Sequence, residues 1–439
     1  NDLPLPLGTQ DAGLLDTANY DEDVDDQSAD AELFSEGEDE NTQALLETWS
    51  NTEAKGRAGG VKARQPVPAL ARSAAGQHAP DLAGMLDALD TGGAVDAAAI
   101  EARVRRAVAD IVRRQVDAGV DVVSDGEQGK VGYSTYVRHR LTGFDGQSGA
   151  AKRADWADFP EAAARAERRA AILRPACNGP IDWKDRGAVQ KDVANFRAAV
   201  ESAVPTDAFM SAASPGVIAH FLQNTHYPSR EAYLARLVDV MKEEYDAIHR
   251  AGFVLQVDCP DLAMSRHLAF PEVGNAEFVR IAEGNVEALN HALRDIPPDR
   301  LRLHLCWGNY EGPHHRDIPL REILPVVLRA RPQAISLEGA NPRHAHEWAV
   351  FREVKLPEDK ILIPGVLDTT TNFIEHPELI AQRIVCYAEV VGRERVMAGS
   401  DCGFATFARS QPLVEPEIVW AKLESMAEGA RLASRQLWK

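Results

Sequence analysis

From about residue 61 onward, the chain switches repeatedly between two hydrophobic periods. Over 98–118 the apolar residues Ile100, Val104, Val108, Ile111, Val112 and Val116 recur at helical spacing among Arg and Asp, and Gly119 follows as a stop signal. The next stretch, 120–127, becomes a short apolar run and ends in the carboxylates Asp125 and Glu127. The same order of helix, glycine and strand returns at 233–250, Gly252 and 253–258. A repeated unit of this length predicts βα units on a parallel sheet. Seven strands are expected, at 121–124, 209–213, 253–257, 301–305, 334–337, 361–366 and 396–400, with helical stretches between them. An eighth at 67–71, followed by a helix over 81–89, would complete an α/β fold, the (β/α)8 TIM barrel, whose active face lies at the carboxyl ends of its strands. An open doubly wound sheet would carry a Gly-rich phosphate turn after its first strand, and the sequence has none there.

Charge narrows the partners. The formal net charge is −19, and residues 1–60 hold sixteen Asp and Glu against Lys55 and Arg57, so that stretch carries −14 and the remainder −5. Residues 1–60 are therefore expected to form an acidic, flexible extension ahead of a barrel domain at 61–439. A mildly acidic body without a basic stripe argues against nucleic acid or an anionic membrane surface as partner. No apolar run approaches the roughly 20 residues of a spanning helix, and no basic-then-apolar leader opens the chain, so a soluble, cytoplasmic protein is expected. The five cysteines are too few and too scattered for a disulfide framework and fit a reducing compartment. A homo-oligomer is compatible with this composition.

The strand ends carry the candidate chemistry. His304 and Cys306 stand two apart at the end of an alternating apolar segment, so a strand points both side chains the same way. Two later segments end alike, delivering Glu338 after 334–337 and Cys402 after 396–400. In a closed barrel these would be the fifth, sixth and eighth strands, near enough for one imidazole, two thiolates and a carboxylate to converge as a tetrahedral Zn2+ set. Zinc lowers the pKa of a thiol, so an incoming thiol would bind as thiolate, ready to attack an electrophilic carbon.

These segments resemble the cobalamin-independent methionine synthases and their shorter relatives, including epoxyalkane:coenzyme M transferase. The resemblance rests on His304-Leu-Cys306, Ile335-Ser-Leu-Glu338 and Ser400-Asp-Cys-Gly403, and extends to Val123-Ser-Asp-Gly-Glu127, Leu255-Gln-Val-Asp258 and Pro364-Gly-Val-Leu-Asp368. It implies a TIM barrel of the methionine synthase and uroporphyrinogen decarboxylase type, a zinc cofactor and activation of a thiol as nucleophile. It further implies that Glu127 and Asp258 hold the amino group of a homocysteine-like substrate. Asp401 is expected to orient His304 or the substrate, and Asp368 to line the mouth. His314 and His315, in the loop after the first ligand pair, are candidate proton donors to a leaving group or an alkoxide.

Departures from the family narrow the reading. Nothing corresponds to the duplicated half that supports folate binding in the long synthases, and 73–78 lacks the family's Gly-Ser-x-Pro type turn. Cys259-Pro260 stands where methionine synthases tend to have a second acid. The function expected is a zinc-dependent methyl- or alkyltransferase that turns a small thiol into a zinc thiolate for attack on a donor, whether folate, corrinoid or epoxide. Coenzyme M-type addition to an epoxide is the alternative, and a non-catalytic zinc-stabilised scaffold is the alternative of another class. No basic residue stands out at a strand end, which favours an amino-thiol over a sulfonate.

Overall fold

In the computed structural model, residues 77–148, 154–167, 175–408 and 412–439 are described. Their strands, in chain order, are β1 (Val122–Ser124), β2 (Gly146–Gln147), β3 (Pro175–Cys177), β4 (Asp207–Ala213), β5 (Gln223–Asn224), β6 (Val254–Asp258), β7 (Leu301–His304), β8 (Ala334–Leu337), β9 (Ile361–Leu367) and β10 (Gly399–Ser400). Seven of these form one sheet in the order β1-β4-β6-β7-β8-β9-β10, with every neighbouring pair parallel. Each falls on an apolar run that the sequence marks as a strand. The sheet curls but is incompletely closed: among the described residues its edges, β1 and β10, do not pair. A full eight-stranded barrel is thus not what these residues form, and the strand expected at 67–71, like the acidic extension at 1–60, lies outside them.

Local chemistry explains where the helices begin and stop. The helix Ala97–Asp117 starts at Asp96, whose carboxylate accepts from the Ala98 and Ala99 N–H groups, and it buries Val104, Val108, Ile111 and Val112. It stops just before Gly119, whose φ of +85° suits glycine. The helix Arg230–Arg250, capped by Ser229, buries Tyr233, Leu237, Met241, Tyr245 and Ile248. The last helix, Pro416–Leu437, returns to the first: the Arg114 guanidinium lies 4.2 Å from the Trp420 ring centroid, and a Cβ on Gly119 would sit 3.1 Å from that of Ala427. A second, three-stranded sheet, β2-β3-β5, has no counterpart in the sequence reading.

Register places the polar residues. Asp258 pairs with His304 and His304 with Ser336, so Glu338, two residues beyond Ser336, projects from the same face. Ser400 pairs with Leu367, which sets Asp368 and Cys402 just past the ends of β9 and β10. Asp258, His304, Glu338, Asp368 and Cys402 therefore share one rim. No helix among the described residues is long and apolar enough to cross a membrane.

Candidate metal centre

His304 closes β7, Cys306 follows two residues later and Cys402 comes two residues past β10. Their ligand atoms all lie within 4.8 Å of one another, and all three residues are buried. The two sulfurs are 3.1 Å apart, and the Cys402 sulfur is 3.8 Å from Nε2 of His304. Neither cysteine forms a disulfide. A tetrahedral zinc site places two sulfurs roughly 3.8 Å apart and a sulfur and imidazole nitrogen roughly 3.5 Å apart. The Cys402–His304 separation lies near that value, whereas the two sulfurs must move apart to share one ion. The Gly308 N–H donates to the Cys306 sulfur at 3.2 Å. The donor set and its spacing fit zinc.

Glu338 stands at the edge of this group, its Oε1 3.8 Å from the Cys402 sulfur. Two donors hold it: the Trp307 backbone N–H on Oε1 at 2.7 Å and the Asn341 amide on Oε2 at 2.8 Å. Burial, with the Cys306 sulfur beside it, pushes the carboxyl well above the usual carboxylate range. Asp401 accepts from the Gly339, Ala340 and Asn341 N–H groups, each at 2.8 Å, and so braces the turn that carries Glu338. Gly365 makes room for it, because a Cβ there would lie 2.0 Å from Asp401 Oδ1.

The other expected residues take varied places. Asp258, buried at the end of β6, accepts from the Gln256 amide at 3.1 Å. Asp368 accepts from the Thr370 N–H and from the Thr370 and Thr371 hydroxyls, so it caps its own turn. Glu127 sits in the left-handed region with φ +52°, and its Oε1 is 3.0 Å from Nζ of Lys130. That ammonium also reaches the Ser211 carbonyl at 2.7 Å and lies 4.5 Å from the centre of the Tyr136 ring. His314 contacts Asp317 and the Tyr310 carbonyl, whereas His315 pairs with Asp158 near the surface. Neither histidine is among the grouped ligands.

Sequence reasoning missed Lys130, and with it His267, His344 and Asp317. Lys130 lies three residues after Glu127, a spacing that allows pairing, but nothing in the sequence says that its ammonium folds inward. Tyr133, which with Tyr136 the sequence offers as a lesser candidate in the loop after Glu127, lies among the charges of this site. Burial pushes its hydroxyl pKa well up, and the Cys306, Asp258 and Cys402 charges push it further. Its ring lies 5.8 Å from that of Phe221 and 6.3 Å from that of Phe407, forming an aromatic wall.

A curled parallel sheet with a His/Cys/Cys centre at its strand ends defines an α/β metal-site protein of the barrel class. Residues 221–431 match the family described as "Cobalamin-independent synthase, Catalytic domain". The chain is 25% identical over 337 residues to a methionine synthase of Thermococcus kodakarensis, covering 76% of this chain and 84% of that one. It is 22% identical over 373 residues to a 2-hydroxypropyl-CoM lyase of Xanthobacter autotrophicus, covering 78% and 88%. The structure of a B12-independent methionine synthase from Shewanella sp. W3-18-1, in complex with selenomethionine, superposes with a TM-score of 0.62 at 18% identity, over 78% of this chain and 91% of that one. Residues 221–431 therefore belong to the cobalamin-independent synthase catalytic-domain family.

Proposed function

We propose that this protein is a zinc-dependent thiol methyl- or alkyltransferase of the methionine synthase kind. The observation that carries the reading is the grouping of His304, Cys306 and Cys402, with ligand atoms within 4.8 Å of one another and Glu338 beside them. His304, Cys306 and Cys402 would hold the ion and Glu338 would be the exchangeable fourth ligand. Zinc bound there lowers the pKa of a thiol so that it reacts as a nucleophile. The chain's own residues do the rest. The Trp307 N–H and the Asn341 amide position the Glu338 carboxylate at the edge of the ligand group. Asp401 holds the backbone of that turn. Tyr133, Phe221 and Phe407 shield the nucleophile from water. Glu127 and Asp258 are the acids for the ammonium of a homocysteine-like thiol. Asp368 shapes the mouth, and His314 and His315 are the loop's proton donors.

A second reading, addition of an anionic thiol such as coenzyme M to an epoxide, gains support from Lys130. Its buried ammonium stands beside Glu127, a cation that a sulfonate would seek. None of the five cysteines forms a disulfide. A screen of zinc-loaded protein against amino-thiols and sulfonate thiols, each crossed with methyl donors and epoxides, tests both readings. Turnover with one pair, lost in a Cys402→Ala variant, is the expected result. A protein that binds zinc yet turns over no combination is instead a zinc-stabilised scaffold.

A further inference from the structure

The loop after β7 holds a buried polar cluster around a carboxylate, Asp317, to which the proposed thiol chemistry gives no role. Asp317 is its centre: Oδ2 lies 2.9 Å from Nδ1 of His314 and 3.0 Å from Nε2 of His344, and Oδ1 lies 3.1 Å from Nδ1 of His267. The histidines come from three separate connections. His267 lies in the helix Ser265–Leu268 after β6, His314 in the loop after β7 and His344 in the loop after β8. The second nitrogen of each is also engaged. Nε2 of His314 is 3.0 Å from the Tyr310 carbonyl, and Nδ1 of His344 is 2.8 Å from Glu347 Oε2. Nε2 of His267 is 3.1 Å from the Tyr310 hydroxyl, which itself bonds Asp155.

Carbonyls and ionised carboxylates only accept hydrogen bonds, so an imidazole set between two of them carries a proton on both nitrogens. His314 and His344 meet that condition. Burial opposes their charge, but the bonds to Asp317, joined for His344 by Glu347, outweigh it and push both pKa values up, that of His344 to about 10. Two fixed cations thus surround one carboxylate.

One path from this cluster to the metal centre runs through Trp307. The Trp307 ring stacks on His344 with centroids 4.2 Å apart and an interplanar angle of 29°, and its Nε1–H donates to the Ile318 carbonyl at 2.7 Å, next to Asp317. The backbone N–H of the same Trp307 holds Glu338 Oε1 at 2.7 Å. We infer that Asp317 is a positioning residue for the Glu338 carboxylate: it gathers three loop histidines so that His344 seats Trp307, and Trp307 presents its N–H to Glu338. The inference rests on the reading of His304, Cys306 and Cys402 as zinc ligands with Glu338 exchangeable. Without Asp317 the connections after β6, β7 and β8 lose a shared anchor, and Glu338 loses a fixed donor. Outer partners of this kind typically alter metal affinity or activity by roughly 10–100-fold when removed.

The test compares zinc-loaded full-length protein with Asp317→Asn, His344→Gln and, as control, Arg316→Gln, whose surface guanidinium contacts Asp158. The rate of zinc release to a chelator and the nitrogen NMR signals of the imidazoles are measured. Asp317→Asn should release zinc on the order of 10–100-fold faster. His344→Gln should shift release in the same direction by less, and Arg316→Gln should match wild type. The wild type should show His314 and His344 doubly protonated at neutral pH. A merely structural role would lower the unfolding temperature and leave release from the folded protein unchanged. Wild-type release from a folded Asp317→Asn overturns the inference, as do neutral imidazoles at both positions. If that variant does not fold, His344→Gln decides on the same criterion. A wild-type chain that takes up no zinc overturns the metal reading and this inference together.

Discussion

Replacing Lys130 by Met removes a charge from the floor of the proposed thiol site while nearly keeping its length. The Lys130 side chain is 4% exposed and that of Glu127 is 15% exposed, with 3.0 Å between Nζ and Oε1. Burial alone would push the Lys130 pKa down, but Glu127 and Asp125 hold it above its ordinary value, so the ammonium persists at all physiological pH values. Taking one partner from a buried ion pair typically costs 3–5 kcal/mol, because the remaining charge is left in a poorly solvated place. Glu127 keeps some contact with water, which puts the expected loss near the lower end, at about 3 kcal/mol. The Ser211 carbonyl also loses a charged donor, a contribution already within that figure. Urea unfolding of the two proteins, read by circular dichroism with the slopes compared, measures the difference. The same variant separates the two readings of the substrate. An anionic thiol should lose at least about tenfold in KM, equal to about 1.4 kcal/mol, whereas an amino-thiol should lose less. A Lys130→Met protein within about 0.5 kcal/mol of wild type would refute the reasoning, since an ion pair worth that little behaves as a solvated surface pair.

Further outcomes follow from other residues. Cys402→Ala should bind zinc at least about tenfold more weakly and lose turnover, as measured by chelator competition and the thiol screen. Gly365→Ala should lower both stability and zinc content, because its new Cβ would lie 2.0 Å from Asp401 Oδ1 and 2.7 Å from Asp401 Cα; overpacking costs about 1–3 kcal/mol, and backbone neighbours place this case at the upper end. Burial pushes the Asp261 carboxyl up to about 6, against the bonds from Ser214 and Asn285. A raised folded pKa means stability that is full below about pH 4 and lost as pH rises through about 6, a span worth roughly 3 kcal/mol. Asp261→Asn should flatten that part of the stability profile, and a profile identical to wild type in this window counts against the assignment.

Much of the sheet is legible in the chain, for a physical reason. Each of the seven parallel strands is a short apolar run buried on both faces, and each ends in a polar cluster that marks where the sheet stops; β8 covers the same residues, Ala334–Leu337, that the sequence marks. The run at 396–400 is less regular, since only Gly399–Ser400 forms a ladder and Val396 makes an isolated bridge to Leu362. The strands β2, β3 and β5 hold two or three residues each, too few for any periodicity to appear. His304, Cys306 and Cys402 were recognisable as a group because strand ends of a parallel sheet meet on one face. Lys130 and the Asp317 cluster were not, because their partners lie in loops whose paths depend on tertiary packing. His267 and His344 stand 50 and 27 positions from Asp317, and no local pattern joins them.

The central claim is an open metal site at which Glu338 gives way to a thiol. X-ray absorption at the zinc edge, recorded on zinc-loaded protein with and without saturating thiol, tests it most directly. Two sulfur ligands at about 2.3 Å are expected without thiol and three with it, the third gained as one oxygen neighbour is lost. An unchanged sulfur count with every thiol that is tried would contradict it.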